Sequence, residues 1–186
     1  MRNPSRAALR QPGSTRNREA IAGYQRARQT NPRDVRLYVA VGSLQETQGQ
    51  WQQAETNYRQ ALQILPDYAL AANNLLYLML EHDENVNVAV SLAQTARKGL
   101  PNLPNTADRL GWAYYRESVF DSAIGLFQET IKGDAKNPTY HFHLGMAYEK
   151  KNDSSMAKKE FEETLQISPN YGQADEIRKF LSQQQQ

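Results

Sequence analysis

The 186-residue chain contains no cysteine, which excludes disulfides, a thiol nucleophile and zinc sites built on thiolates. It also lacks any apolar run near the ~18–20 residues that a spanning helix requires; the longest stretch is the six residues from Leu75 to Leu80. No membrane insertion is expected. Glycine and proline are scarce, at ten and eight, and no stretch reads as a linker. Strand-like alternation of apolar and polar residues is missing throughout. No phosphate-cradling glycine loop, helical HExxH or GxSxG elbow occurs, so the chain is read as non-enzymatic, with no catalytic residues, cofactor, metal or small-molecule substrate. What is present, 39% hydrophobic and 23% charged residues, suits one ordinary domain with a real core.

Charge is unevenly distributed. The net charge is +2, but residues 1–36 hold nine arginines against Glu19 and Asp34, a local +7, which leaves −5 for the rest. Pro4, Pro12 and Gly13 interrupt a long helix at this end, so residues 1–16 are expected to form a basic, poorly ordered segment. Nucleic-acid binding through this arginine-rich arm is the least favoured alternative, because no aromatic residues are interleaved in residues 1–23. The same residues contain no apolar stretch of secretory-signal length. A soluble protein is expected, cytoplasmic as given or periplasmic within a longer exported parent.

The strongest feature is a period. Displacing the sequence by 34 residues brings Leu110 onto Leu144, Gly111 onto Gly145, Ala113 onto Ala147 and Tyr114 onto Tyr148. Ala123, Phe127 and Thr130 likewise fall on Ala157, Phe161 and Thr164, and the frame extends back to Gly42, Ala54, Tyr58, Ala61 and Pro66. This order of Leu-Gly, Tyr, Ala, aromatic and Pro resembles the tetratricopeptide repeat. The resemblance implies an all-α, right-handed solenoid of helical hairpins. Four full repeats fall at 35–68, 69–103, 104–137 and 138–171, preceded by a half-repeat at 17–34 and followed by a capping helix at 172–182 and a glutamine tail at 183–186. Three departures stand out: Gln45 replaces a tyrosine, Leu76 replaces the small residue, and Ala93 replaces the aromatic. The second repeat also carries one extra residue in its 82–87 turn. The string from Asp108 to Tyr115 looks like those of bacterial multi-repeat proteins.

The charged and ionisable residues read as structural. His141 and His143 are two residues apart and project to opposite sides of a helix, so they cannot chelate one metal from it. Glu160, Glu162 and Glu163 lie among Lys158 and Lys159 and are expected to form a solvated helix face.

In the resembled family, the first helix of each hairpin lines a concave groove that meets protein or peptide ligands. Carried across by position, the groove residues are Val39 in the first repeat and Asn73, Tyr77 and Leu80 in the second. The third supplies Asn105, Asp108, Trp112, Tyr115 and Arg116, and the fourth Phe142, Met146 and Glu149. Tyr77, Trp112, Tyr115, Phe142 and Met146 are large groups that the packing pattern does not need. They are expected to form a contiguous exposed patch, the usual mark of an interaction site. The chaperone-type carboxylate clamp is not expected. Its places hold Val39, Ser43, Asn74, Asn105 and Arg109, and its lysines are missing. The function read from the sequence is a scaffold that grips a partner peptide or helix. The rival is a homo-oligomer formed through the unpaired N-terminal helix and its stripe of Ile21, Tyr24 and Ala27.

Overall fold

The structure, a computed structural model, describes residues 12–81 and 86–184. Within them lie ten helices and no strand. They are α1 Pro12–Thr30, α2 Val35–Glu46, α3 Trp51–Ile64, α4 Ala69–Glu81, α5 Val86–Gly99, α6 Pro104–Arg116, α7 Phe120–Gly133, α8 Pro138–Lys150, α9 Ser154–Ile167 and α10 Ala174–Gln183. The chain divides into two compact units, Met1–Leu78 and Met79–Gln186. In the first, α1 packs on α2 and α2 on α3; in the second, each helix from α5 to α9 packs on its successor, and α6 also meets α8.

Helix α1 begins at Pro12, so residues 12–16 are helical rather than part of a disordered arm. Proline at a first helical position loses only an N–H that would have no partner there, and its fixed φ suits a helix. The arm's residues 1–11, most of the 82–87 turn and the last two glutamines lie outside the described residues.

Helix ends are set by local chemistry. Asn137 and Asp153 cap α8 and α9, accepting hydrogen bonds from the backbone N–H groups of Thr139 (3.0 Å) and Met156 (3.1 Å). The turns inside the α2–α3, α6–α7 and α8–α9 hairpins share one left-handed residue, at Gly49, Ser118 and Asn152. In each, the following N–H bonds back to the helix it leaves: Gln50 to Gln45, Val119 to Tyr114 and Asp153 to Tyr148, at 2.9–3.0 Å. This is the six-to-one closure that ends a helix abruptly and lets its partner fold back.

Three hairpins, α2–α3, α6–α7 and α8–α9, close on a ring-against-backbone contact. Tyr58, Phe127 and Phe161 are buried and lie flush with the backbones of Gly42, Gly111 and Gly145. A Cβ at these glycines would stand 2.6–2.7 Å from a ring carbon. Tyr58 also donates a hydrogen bond to Glu46 Oε2 at 2.8 Å. Burial, reinforced by that carboxylate, pushes the Tyr58 phenol far above its ordinary value. Neighbouring hairpins of the second unit are pinned twice in the same way: Gln94 donates to the Tyr114 hydroxyl (3.1 Å) and Gln128 to the Tyr148 hydroxyl (2.8 Å). In the first unit, Gln45 is buried and accepts from Asn57 at 2.8 Å, while Asn57 accepts from Arg28 of α1 at 2.7 Å. The Arg28 guanidinium also lies 4.1 Å from the centre of the Tyr38 ring. The departure at Gln45 thus provides an anchor for α1.

At the other end, α10 buries Ala174 and Ile177 and sets Phe180 edge-on to Phe161 at 5.0 Å. It covers a core built from Phe127, Phe142, Leu144, Tyr148 and Phe161.

The glycine contacts make a paired prediction. Gly111→Ala should destabilise the protein, because overpacking costs about 1–3 kcal/mol against a helix-propensity gain of about 0.5–1. Gly125, also inside a helix, has nothing within 4 Å of a built Cβ, so Gly125→Ala should stabilise by about 0.5–1 kcal/mol. Urea unfolding of the two variants should shift the midpoint in opposite directions.

Candidate binding site

On α6, Asn105, Asp108, Trp112 and Tyr115 recur at steps of three and four, which places them along one face. The first helix of the next hairpin, α8, lies beside it. Trp112 forms the middle of a three-ring stack. Tyr115 lies on one side at 4.8 Å between centroids and 9° between planes, and His143 of α8 at 4.4 Å and 24°. Phe120 meets the Tyr115 ring edge-on at 5.7 Å. Trp112, Tyr115 and Met146 are half-buried and Glu149 is exposed. Burial, with the Glu149 charge as a second cause, raises the Tyr115 phenol above its ordinary value. Tyr115 therefore keeps its proton at neutral pH.

Several expected groove residues sit elsewhere. Phe142 is buried, packed against Tyr171 at 5.2 Å and Phe161 at 5.9 Å. It is a core residue because the end of the repeat array folds Tyr171 over it. Asp108 is buried, with Oδ1 2.8 Å from His143 Nδ1. Asn73 is buried, with Nδ2 3.4 Å from Asn74 Oδ1. Val39 packs against the Val35, Ala61 and Ala71 cluster. Leu80, Asn105 and Arg116 are half-buried, and Tyr77 is exposed on α4. The expected run of exposed aromatic residues is thus reduced to a compact half-buried stack on α6 and α8.

His143 is the residue that the sequence reading missed. It falls one place after the repeat equivalent of Asp108, 35 residues on, and that offset was its only signal. The expectation for Glu160 also fails. It is buried, and its Oε2 lies 2.7 Å from His141 Nδ1, while His141 Nε2 lies 3.1 Å from the Ala135 carbonyl oxygen. Glu162 is exposed and Glu163 half-buried. Glu160 stands three residues after Ala157 and four before Thr164, both buried, so it shares the face of α9 turned toward α8, which the alternating charges of α9 conceal. Among the described residues, no group of three or more His, Asp or Glu could hold a metal ion, and no helix is long and apolar enough to cross a membrane. Of the basic residues, Arg28 is engaged internally and Arg36 pairs with Asp34 at 2.7 Å.

Two family models, both of the tetratricopeptide repeat, match residues 6–69 and 138–171. The chain belongs to the tetratricopeptide repeat family. Among curated proteins no sequence relative matches it. Solved structures do match in fold. The crystal structure of YrrB, a tetratricopeptide repeat protein with an unusual peptide-binding site, is 17% identical, with a TM-score of 0.78 over 89% of this chain and 84% of that one. MamA 41-end from Desulfovibrio magneticus RS-1 is 20% identical, with a TM-score of 0.73 over 86% and 88%. A further MamA crystal structure is 19% identical, with a TM-score of 0.71 over 89% and 99%. These likenesses show the helical-hairpin solenoid fold, which supports a protein–protein interaction scaffold in general. Tetratricopeptide repeat proteins are typically interaction modules without catalysis of their own.

The buried His141–Glu160 pair has a measurable consequence. Glu160→Ala removes one partner of a buried, hydrogen-bonded pair and should cost about 3 kcal/mol. Glu160→Gln keeps an acceptor and should cost less than half as much in the same urea titration.

Proposed function

We propose that this tetratricopeptide repeat protein is a non-catalytic adaptor that binds a segment of a partner protein across α6 and α8. The observation that carries this reading is the half-buried Trp112–Tyr115 stack, in which two large rings lie against each other and neither occupies the ring-on-glycine position of its hairpin. Rings of this kind offer much contact area at little further entropic cost, because stacking has already restricted their rotamers. The Tyr115 hydroxyl and the Glu149 carboxylate add polar contacts at the rim. Recognition through apolar burial and a few hydrogen bonds suits an extended peptide or a helix. YrrB, similar in fold, is described by a peptide-binding site, which agrees with this use of the architecture.

A second reading, self-association through α1, draws on Tyr24, which is 38% exposed on that helix. It predicts a dimer by light scattering at tens of micromolar, abolished by Tyr24→Asp. A monomer under those conditions removes it.

For the adaptor, peptides selected from a random displayed library should quench or shift the emission of Trp112, read in a Trp51→Phe background. Tyr115→Ala should weaken the selected peptides by about tenfold or more, with the melting temperature nearly unchanged. Peptides that bind Tyr115→Ala and Trp112→Ala as well as the parent would place recognition elsewhere and overturn the reading.

A further inference from the structure

His143 is held more firmly than a filler of the stack requires. Its Nδ1 lies 2.8 Å from Asp108 Oδ1, and both side chains are largely buried, at 15% and 11% exposed. One ring face is covered by Trp112 at 4.4 Å, with Phe127 at 5.5 Å and Phe142 at 6.2 Å around it. The carboxylate therefore fixes which nitrogen carries the proton, and the aromatic wall fixes the ring plane. Among the described residues, the buried side-chain polar atoms without a hydrogen-bond partner are Gln48 Nε2 and Asn105 Oδ1. Among the described residues His143 Nε2 has no hydrogen-bond partner, and the side chain keeps 15% of its surface exposed.

We infer that His143, keyed by Asp108, is the polar specificity residue of the α6–α8 surface, and that its Nε2 accepts a hydrogen bond from a backbone N–H of the bound segment. This rests on the adaptor reading. The polarity follows from the pair itself. A carboxylate at Nδ1 can only accept, so Nδ1 carries the hydrogen, and the uncharged form of the ring presents a lone pair at Nε2. The ligand feature selected is a peptide N–H beside an apolar side chain that lies on Trp112 and Tyr115. A proline or an N-methylated residue at that place is rejected, because it has no hydrogen to give.

Asp108 is a positioning residue here, and Asp108→Asn separates its role from packing. An asparagine amide can donate to Nδ1, which moves the hydrogen to Nε2 and turns the acceptor into a donor without changing the shape of the site. The probe is the tightest twelve-residue peptide selected on the parent protein and scanned by N-methylation at each position. On the parent, N-methylation at one position should weaken binding roughly tenfold with its side chain unchanged. On His143→Phe that position should become indifferent. On Asp108→Asn, affinity for the unmodified peptide should fall by a similar factor, with the melting curve retained and nitrogen-15 shifts of the imidazole reporting the exchanged tautomer. A peptide that loses affinity on Tyr115→Ala yet binds His143→Phe and Asp108→Asn as it binds the parent would overturn this inference and leave the adaptor reading intact. A peptide insensitive to Tyr115→Ala would remove both.

Discussion

The fold depends on aromatic rings lying directly on bare backbone. At Gly42, Gly111 and Gly145 the first helix of a hairpin offers no side chain, and a ring from the second helix occupies that space at a distance that no Cβ would permit. Glycine weakens each first helix by about 0.5–1 kcal/mol. The buried ring more than offsets this, since truncating such a side chain costs about 3–5 kcal/mol. The contact also sets how near the two helices stand, and so where the other face of the first helix points. Trp112 and Asp108 flank Gly111 in sequence, and their positions beside α8 follow from how deeply Phe127 seats. The binding surface is downstream of the core in this sense.

Two buried histidine–carboxylate pairs lie in the interior of the second unit. His141–Glu160 joins the two helices of one hairpin, and Asp108–His143 joins the first helices of successive hairpins. Because the two histidines are two residues apart on α8, one pair faces into its own hairpin and the other toward the preceding one. Such pairs add little net stability compared with apolar substitutes. Their geometry is directional, however, and a slip of α8 by one residue would leave four polar groups buried without partners. They contribute register, which ring-on-glycine packing alone would enforce less strictly between neighbouring hairpins.

Much of the fold was legible in the sequence because a period of 34 carries its own internal check. Gly111 and Gly145, Phe127 and Phe161, or Ser118 and Asn152 with their common left-handed turn each report the same local geometry twice. The start of α1 was not legible. Proline and glycine were weighed as helix breakers, when Pro12 stands at the one place where proline favours a helix. The site was read less well for a related reason. The period assigns residues to a helix face but not to a depth, and depth depends on neighbours outside the repeat. Phe142 sits at the end of the array, where Tyr171 covers it. Glu160 looked solvated among lysines and glutamates because its partner, His141, lies on another helix. Only pairing across helices distinguishes Asp108 and His143 from ordinary surface residues, and a single sequence does not display it.

The ring-on-glycine contact also constrains how such a chain can diverge. Each ring follows its glycine by sixteen residues, as in Gly42 and Tyr58, Gly111 and Phe127, and Gly145 and Phe161. In the second repeat the sizes are exchanged. Leu76 stands where the glycine would be and Ala93 where the ring would be, and both are fully buried. Within Gly42 and Tyr58, Gly111 and Phe127, and Gly145 and Phe161, a size change at either place alone leaves a collision or a void, so each pair can drift only when both positions change together and behaves as a single inherited character.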